Sequence, residues 1–326
     1  MSPLGITLLV LTGLGVFLYA IDLLSQALRG IASDRMERWL KRYTAHVLSA
    51  TAVGVVATTL LDSSSVVIIL VIVLVNTGKL ALRSALAVVL GANIGTTFGS
   101  QIIAFDIGAW SAVPLLLGIG LAHLGRTPTA KGIGNVLTGF GLLFTGLFIM
   151  GTAVEPLRES TLLIGLLHGL EDPLKGSLTG GLITLVLQSS SATVAMAIAL
   201  AGKGLLSLPA GIAVMLGAEL GTCSDTLLAA ARCGRRARKV GLFHLLFNLL
   251  TIILGLLLIH PFTDFVVWFS GAADDARRIA NAHMMFNVVG VLLCLPFLRR
   301  TERLLDHWLP EKAHAHARSV ARGMAA

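Results

Sequence analysis

Three consecutive serines occur twice in the chain, and each triplet lies where one short apolar segment ends and another begins. The first triplet is Ser63–Ser65, preceded by Asp62, and the second is Ser189–Ser191, preceded by Gln188. If the apolar segments are helices, the second helix of each pair starts at the serines, with unpaired backbone N–H groups and a positive dipole. Such a helix start, together with serine hydroxyl donors, can bind an oxyanion. The candidate substrate-binding residues are therefore Ser63, Ser64, Ser65, Gln188, Ser189, Ser190, Ser191 and Thr193.

Serine also has simpler uses at such positions. It caps helix N-termini, and its small side chain lets membrane helices approach closely. For a single triplet, capping or packing is the better interpretation. Two triplets at matched positions favour anion binding, because two opposed helix starts can then meet near one point.

A second repeated pattern combines glycines with polar residues. Gly91–Thr97 and Gly217–Cys223 both contain Gly-x-x-x-Gly, with Asn93 inside the first copy and Glu219 inside the second. Gly-x-x-x-Gly alone is common where membrane helices pack. The amide, the carboxylate and the hydroxyls that follow favour helices that open locally to bind a ligand. Their oxygen atoms suit a small hard cation such as sodium.

Four carboxylates lie within apolar segments: Asp22, Asp62, Glu219 and Asp225. An uncompensated carboxylate inside a membrane costs at least about 2.5 kcal/mol, so each is a candidate functional group. Asp22 is the weakest candidate, because it can reach the membrane surface near Arg29. The others adjoin the two patterns above, where a carboxylate would bind a cation or exchange a proton. The candidate cation-binding residues are Asp62, Asn93, Thr96, Thr97, Gln188, Ser189, Glu219, Thr222 and Asp225.

Two copies of His-x-x-Phe-Asn, at His244–Asn248 and His283–Asn287, place histidine and asparagine on one helix face. Two such residues are too few for a metal site, so the pattern favours hydrogen bonds between helices. The three cysteines have neither disulfide nor zinc spacing. We find no Walker loop, nucleophile elbow or metalloprotease helix. We therefore predict that the chain is not an enzyme and uses no cofactor or transition metal.

Composition shows what kind of structure must position these residues. Of 326 residues, 55% are hydrophobic and 13% are charged, whereas an ordinary soluble domain has about 25% charged residues. Several apolar stretches approach the roughly 20 residues that cross a bilayer as a helix. The basic residues lie in short clusters between these stretches, which argues against a nucleic-acid partner despite the net charge of +8. The sequence predicts an all-α polytopic membrane protein.

The chain repeats itself at a constant offset of 126 residues. Gly54, Thr58 and Ser63–Ser65 fall on Gly180, Thr184 and Ser189–Ser191, and Gly91–Thr96 falls on Gly217–Thr222. A gapless offset held over about a hundred residues indicates an internal duplication.

Each repeat has the same predicted elements: a first helix, an amphipathic connector, two short arms that meet at the serines, and two full helices. The arms are too short to cross a membrane, so each pair predicts a re-entrant hairpin. Each half then crosses three times, which inverts the second half relative to the first. The predicted elements are first helices at 4–27 and 131–151, connectors at 28–45 and 155–172, arms at 46–61 with 65–76 and 174–187 with 191–202, full helices at 84–105, 108–125, 208–231 and 238–260, and an extra transmembrane helix at 279–298. The predicted units are the first repeat at 1–126, the second at 127–260, an external loop with the extra helix at 261–298, and a basic tail at 299–326.

The basic residues also predict the orientation in the membrane. With the C-terminus in the cytoplasm, five linkers on that side carry 20 of the 25 Lys and Arg residues, as the positive-inside rule requires. The other five lie in the external segments, so no Lys or Arg is left to neutralise an anion within the membrane: Arg158, Lys175, Lys203, Arg277 and Arg278. We predict a multi-pass inner-membrane protein with its N-terminus outside.

Together these motifs resemble the type II sodium/phosphate cotransporter family. Its hallmark is a duplicated Gln-Ser-Ser-Ser segment, each copy followed by Gly-x-Asn-Ile-Gly-Thr; Gln188–Ser191 and Gly91–Thr96 match it, and the resemblance extends from about Gly13 to Asn287. The resemblance implies sodium-driven phosphate uptake, with the anion between the serine hairpins. It also implies sodium near Gln188, Ser189 and the Thr222 hydroxyl.

Two positions depart from the family pattern. Asp62 replaces a glutamine and Glu219 replaces an asparagine, so each change introduces a carboxylate. A carboxylate repels an anion unless a cation or a proton neutralises it. Taken with the resemblance, the sequence predicts sodium-coupled phosphate symport by alternating access, with phosphate, sodium and the lipid bilayer as partners. The alternatives are a proton-coupled transporter of another small anion, a channel and a non-transporting membrane regulator.

Overall fold

The computed structural model describes residues 3–105, 107–154 and 161–310, and these parts of the chain are helical with no β-strand. Apart from short 3₁₀ turns at Gly108–Ser111 and Leu295–Phe297, the elements are α1 (Pro3–Arg42), α2 (Val47–Leu61), α3 (Ser64–Asn76), α4 (Leu82–Ile103), α5 (Ala112–Leu124), α6 (Pro128–Val154), α7 (Thr161–Gly169), α8 (Pro173–Leu187), α9 (Ser190–Gly202), α10 (Leu208–Gly221), α11 (Cys223–Ala231), α12 (Arg235–Leu257), α13 (Ile259–Ser270), α14 (Asp275–Cys294) and α15 (Leu298–Trp308).

Six helical stretches in the described ranges are long and apolar enough to cross a membrane. They are Leu4–Leu24, Leu82–Ile103, Pro128–Ala153, Leu208–Ala231, Arg235–Leu257 and Asp275–Trp308. The predicted full helix at 108–125 is not among them, because α5 has only 13 residues, fewer than the roughly 20 needed. The chain is a helical, multi-pass membrane protein.

Both serine triplets interrupt a pair of short helices, as predicted. The helix breaks at Asp62, with φ 47°, and at Gln188, with φ 54°; no other non-glycine residue of the described ranges has a positive φ. The next residue, Ser63 or Ser189, is extended and caps the second helix. Its hydroxyl oxygen accepts from the N–H of Val66 at 3.4 Å or of Ala192 at 3.2 Å.

Glycines bring the first arm of each pair into backbone contact with a long helix. A Cβ on Gly91 of α4 would lie 1.9 Å from the Thr51 carbonyl of α2, and one on Gly217 of α10 would lie 1.7 Å from the Ser177 carbonyl of α8. Further along, Gly99 lies beside Asp62, so α2 and α4 run parallel. The glycines of the Gly-x-x-x-Gly motif therefore pack helix against helix.

The offset of 126 residues persists in the three-dimensional structure. It relates the two broken positions, Asp62 and Gln188, and the two backbone contacts just described. It also relates Gly78 and Gly204, which have φ values of 72° and 68° in the turns after α3 and α9. The duplicated sequence thus adopts duplicated local structures.

The connecting segments differ from the predictions. The connector predicted at 28–45 continues α1 as far as Arg42, and the loop predicted from residue 261 begins with α13. In the second connector α7 forms, while 155–160 lie outside the described residues. The prediction that Gly91–Thr97 opens its helix was wrong, because α4 is continuous there. In the second copy α10 ends at Gly221 and α11 begins at Cys223.

The buried side chains form two clusters, and each cluster takes residues from both halves. Phe17 of α1 and Phe144 of α6 pack with the helices that follow Ser189. Phe243 of α12 and Leu305 of α15 pack with α2, α3 and α4. Neither half therefore has a core of its own.

The C-terminal helix α15 is anchored by ion pairs. Glu302 contacts Arg83 at 2.6 Å, and Asp306 contacts Lys239 at 2.5 Å. The Lys239 side chain is only 1% exposed, so the expectation that the basic residues lie in clusters between the apolar stretches was wrong for this residue. Lys239 is on α12, and its long aliphatic side chain packs in the protein while its ammonium group meets the carboxylate.

Candidate functional site

The serine triplets place one hydroxyl in a cap and one in the protein interior. Ser63 and Ser189 cap α3 and α9, which confirms the capping role for these two. Ser64 and Ser190 are the first residues of those helices and are buried. The unpaired N–H groups of each first turn therefore lie at the triplet, which is the geometry that anion binding requires.

One contact joins predicted site residues from the two halves. The Ser65 hydroxyl of α3 donates to Asp225 Oδ2 of α11 at 3.4 Å, and the Ser224 hydroxyl donates to Asp225 Oδ1 at 3.3 Å. The first serine triplet thus meets a carboxylate that lies 160 residues later in the chain.

Asp62 lies against the long helix of its own half. Its Oδ1 lies close to Gly99 of α4, and a Cβ added to Gly99 would be 2.8 Å from this oxygen. A small cavity beside it is lined mainly by apolar side chains, including Leu24, Phe98 and Phe140. At the offset of 126 residues, Asp62 corresponds to Gln188 and Gly99 corresponds to Asp225. Each half therefore has one carboxylate at these two positions, between α2 and α3 in the first half and on α11 in the second.

Glu219 has a partner that the sequence analysis did not assign to it. This buried carboxylate places Oε1 2.6 Å from His283 Nε2 of α14. His283 Nδ1 lies 2.7 Å from the Ser100 hydroxyl of α4. His244 Nδ1 of α12 lies 2.8 Å from the Thr226 hydroxyl of α11. These contacts confirm that the two His-x-x-Phe-Asn motifs form hydrogen bonds between helices.

The remaining cation candidates are polar groups bonded within their own helices. Thr96 donates to the Ala92 carbonyl, Thr97 donates to the Ile94 carbonyl, and the Asn93 amide donates to the Val89 carbonyl. Thr222 donates to the Glu219 carbonyl at 2.7 Å. Such bonds satisfy the hydroxyl protons and leave lone pairs on the oxygens.

Gln188 is exposed, and its amide donates to the Leu185 carbonyl. Asp22, the weakest candidate, is exposed and accepts from Gln26.

Thr193 has a structural contact between the two helices that flank the second triplet. The Thr184 hydroxyl of α8 donates to the Thr193 hydroxyl of α9 at 2.8 Å. In the first half, Thr58 matches Thr184, but Val67 stands at the position of Thr193. The buried Thr58 hydroxyl accordingly has no hydrogen-bond partner.

Exchanging the two residues tests this account. Thr193→Val leaves the buried Thr184 hydroxyl without its partner and is expected to destabilise the protein by about 1 kcal/mol. Val67→Thr supplies the Thr58 hydroxyl with a partner in a site of similar volume, so it is expected to stabilise the protein. Thermal unfolding of the purified protein in detergent measures both, with the double variant as the control. A lower melting temperature for Val67→Thr would contradict the pairing.

Comparison with known proteins adds independent information. Residues 16–152 and 149–299 each match the family model described as Na+/Pi-cotransporter. The two matches follow one another, overlap only at residues 149–152 and together cover most of the chain. No solved structure matches the chain significantly.

Individual relatives cover nearly the same region. The Bacillus subtilis (strain 168) protein "Uncharacterized protein YqeW" is 30% identical over 299 residues, which are 91% of this chain and 96% of the relative. The Escherichia coli (strain K12) protein "Putative inorganic phosphate export protein YjbB" is 30% identical over 296 residues, or 89% of this chain. This chain spans about half of that relative, 53% of its length. The protein of Salmonella typhimurium with the same name is 28% identical over 293 residues. The chain belongs to the Na+/Pi-cotransporter family, a family of membrane transporters.

Proposed function

We propose that the chain transports inorganic phosphate together with sodium across the inner membrane, with the anion held between Ser63–Ser65 and Ser189–Ser191. The observation that carries the proposal is the matched pair of helix starts. Each has a serine cap and a buried serine, and the preceding helix breaks at the residue just before the cap. Free N–H groups and hydroxyls bind an oxyanion without a basic side chain. Family membership supports phosphate as the substrate.

We propose that the two helix pairs are re-entrant hairpins in two inverted repeats. Their arms have 13 to 15 residues, too short to span a bilayer. Since α2 runs parallel to α4 and only residues 77–81 join α3 to α4, α3 returns along α2. Alternating access would then move one repeat against the other around a central site. The clusters of basic residues favour a cytoplasmic C-terminus and an external N-terminus.

The polar residues around the triplets supply the proposed cation sites. Asp62, Glu219 and Asp225 contribute carboxylates, while neutral oxygens come from Asn93, Thr96, Thr97, Gln188, Ser189 and Thr222. Phosphate entering beside three carboxylates requires positive charge, and a co-transported cation supplies it. This charge balance favours symport over exchange of anions.

Uptake into proteoliposomes tests the proposal directly. Radiolabelled phosphate is expected to accumulate under an inward sodium gradient and to equilibrate slowly when choline replaces sodium. Vesicles preloaded with labelled phosphate test the opposite direction, which the name of the relative YjbB makes relevant. Absence of phosphate movement in both directions, by protein that remains folded, would overturn the proposal.

Proton coupling is the second candidate, because the buried Glu219 contacts a titratable histidine. Repeating the uptake with an inward proton gradient in sodium-free buffer distinguishes the two. Accumulation under the proton gradient alone would replace sodium with a proton as the coupling ion.

A further inference from the structure

We infer that His283 is a positioning residue that orients Glu219 for the coupling cation and links this cation site to the first repeat. The inference rests on the proposed function, since it assigns Glu219 to the sodium site.

The hydrogen bonds around His283 define the orientation of the carboxylate. Glu219 is 3% exposed and His283 is fully buried. An ionised carboxylate only accepts hydrogen bonds, so His283 Nε2 must carry the proton that is shared with Oε1. In the neutral ring, Nδ1 then accepts from the Ser100 hydroxyl. Both ring nitrogens are thereby satisfied, Oε1 is held in place, and Oε2 is left to bind a cation.

His283 connects α14, which lies outside both repeats, to one helix of each repeat. The histidine is on α14, its hydroxyl partner is on α4 of the first repeat, and its carboxylate partner is on α10 of the second. A movement of α4 relative to α10 must therefore displace the ring or break one of its two bonds. Cation binding at Glu219 is therefore coupled, through His283, to the relative positions of the two repeats.

His244 is an internal comparison for this role. It bonds to Thr226, and Thr226 matches Ser100 at the offset of 126 residues. The residue that matches Glu219 is Asn93, and the buried His244 Nε2 has no hydrogen-bond partner. The two histidines thus share the hydroxyl contact, and only His283 adds a carboxylate contact.

Two amide variants separate the contacts of His283. His283→Gln reaches as far as Nε2 and can still donate to Glu219. His283→Asn reaches only as far as Nδ1, so it keeps the Ser100 contact and loses the carboxylate. Loss of a residue that orients a metal ligand typically costs about 10- to 100-fold in affinity. We expect His283→Asn to raise the half-saturating sodium concentration about tenfold at unchanged maximal rate, and His283→Gln to change it less than about twofold.

The experiment measures sodium dependence in two ways, by phosphate uptake and by the rise in melting temperature when sodium replaces choline. Both variants are also made with Glu219→Gln, where the difference between Asn and Gln at position 283 should disappear. His244→Gln serves as the matched control and should leave the half-saturating sodium concentration unchanged.

Each outcome bears on a different claim. Equal sodium dependence of His283→Asn and His283→Gln, or a difference that persists with Glu219→Gln, overturns the positioning role while sodium coupling stands. If His283→Asn does not fold, His283→Gln is tested alone. A tenfold rise in its half-saturating sodium concentration would overturn the positioning role, and a normal sodium response would support it. A wild-type protein with no sodium response in either measurement would overturn sodium coupling itself, and the role of His283 with it.

Discussion

Replacing Ser190 with tryptophan is expected to reduce phosphate transport to background, at least a hundredfold, while the protein still inserts in the membrane. Ser190 is buried and is the first residue of α9. An indole there would cover the N–H groups of the first helical turn, which are the proposed anion donors. Overpacking a buried site costs about 1–3 kcal/mol, which a folded protein can tolerate. Phosphate uptake into proteoliposomes, normalised to folded protein, measures the effect.

Two companion variants make this result specific. Val186→Trp introduces the same side chain nearby on α8, where the valine is 75% exposed, and should retain uptake. Ser190→Ala keeps the N–H groups and removes only the hydroxyl, so it should raise the KM for phosphate about tenfold. Full uptake by Ser190→Trp would place the anion elsewhere.

Replacing Gly217 with alanine is expected to abolish folding of the protein. The new Cβ would lie 1.7 Å from the Ser177 carbonyl, and this obstacle is backbone that cannot rotate away. Helices α8 and α10 would have to separate, at a cost of more than about 3 kcal/mol. The expected result is loss of the monodisperse peak in size-exclusion chromatography and of the cooperative thermal transition.

Gly120→Ala is the control for that experiment. Gly120 lies in helix α5, and nothing is within 4 Å of the position that its Cβ would take. Alanine there should leave the melting temperature unchanged or slightly higher, since it is the better helix former. If Gly217→Ala unfolds at the same temperature as Gly120→Ala, α8 and α10 do not pack as described.

The local structure around the serines could be predicted because its causes are local. The helix break and the cap at Ser63 and Ser189 depend only on neighbouring residues: a short apolar arm, then a polar residue, then a serine before the second arm. The repeat offset then predicted the second site from the first. Gly-x-x-x-Gly is itself a packing signal, but the polar residues inside the motifs led the sequence analysis to favour helices that open there instead.

The contacts across the molecule could not be predicted, because their causes lie in the tertiary fold. Glu219 and His283 are 64 residues apart, and nothing in either motif specifies the other. Hydrophobicity likewise did not separate the short α5 from a full span, or show that Lys239 would be buried. The sequence also did not show that the hydroxyls of Thr96 and Thr97, both candidate ligands, donate their protons to carbonyls of their own helix.

The order in which these contacts form follows from their distance along the chain. Ser100 meets a histidine that is synthesised 183 residues later, and Arg83 meets a glutamate synthesised 219 residues later. During translation, helix α4 is therefore in the bilayer before the partners of Ser100 and Arg83 have been synthesised. The first repeat is thus complete only after α14 and α15 have been made, and a nascent chain halted before α14 would expose an unfinished α4 to the membrane quality-control machinery.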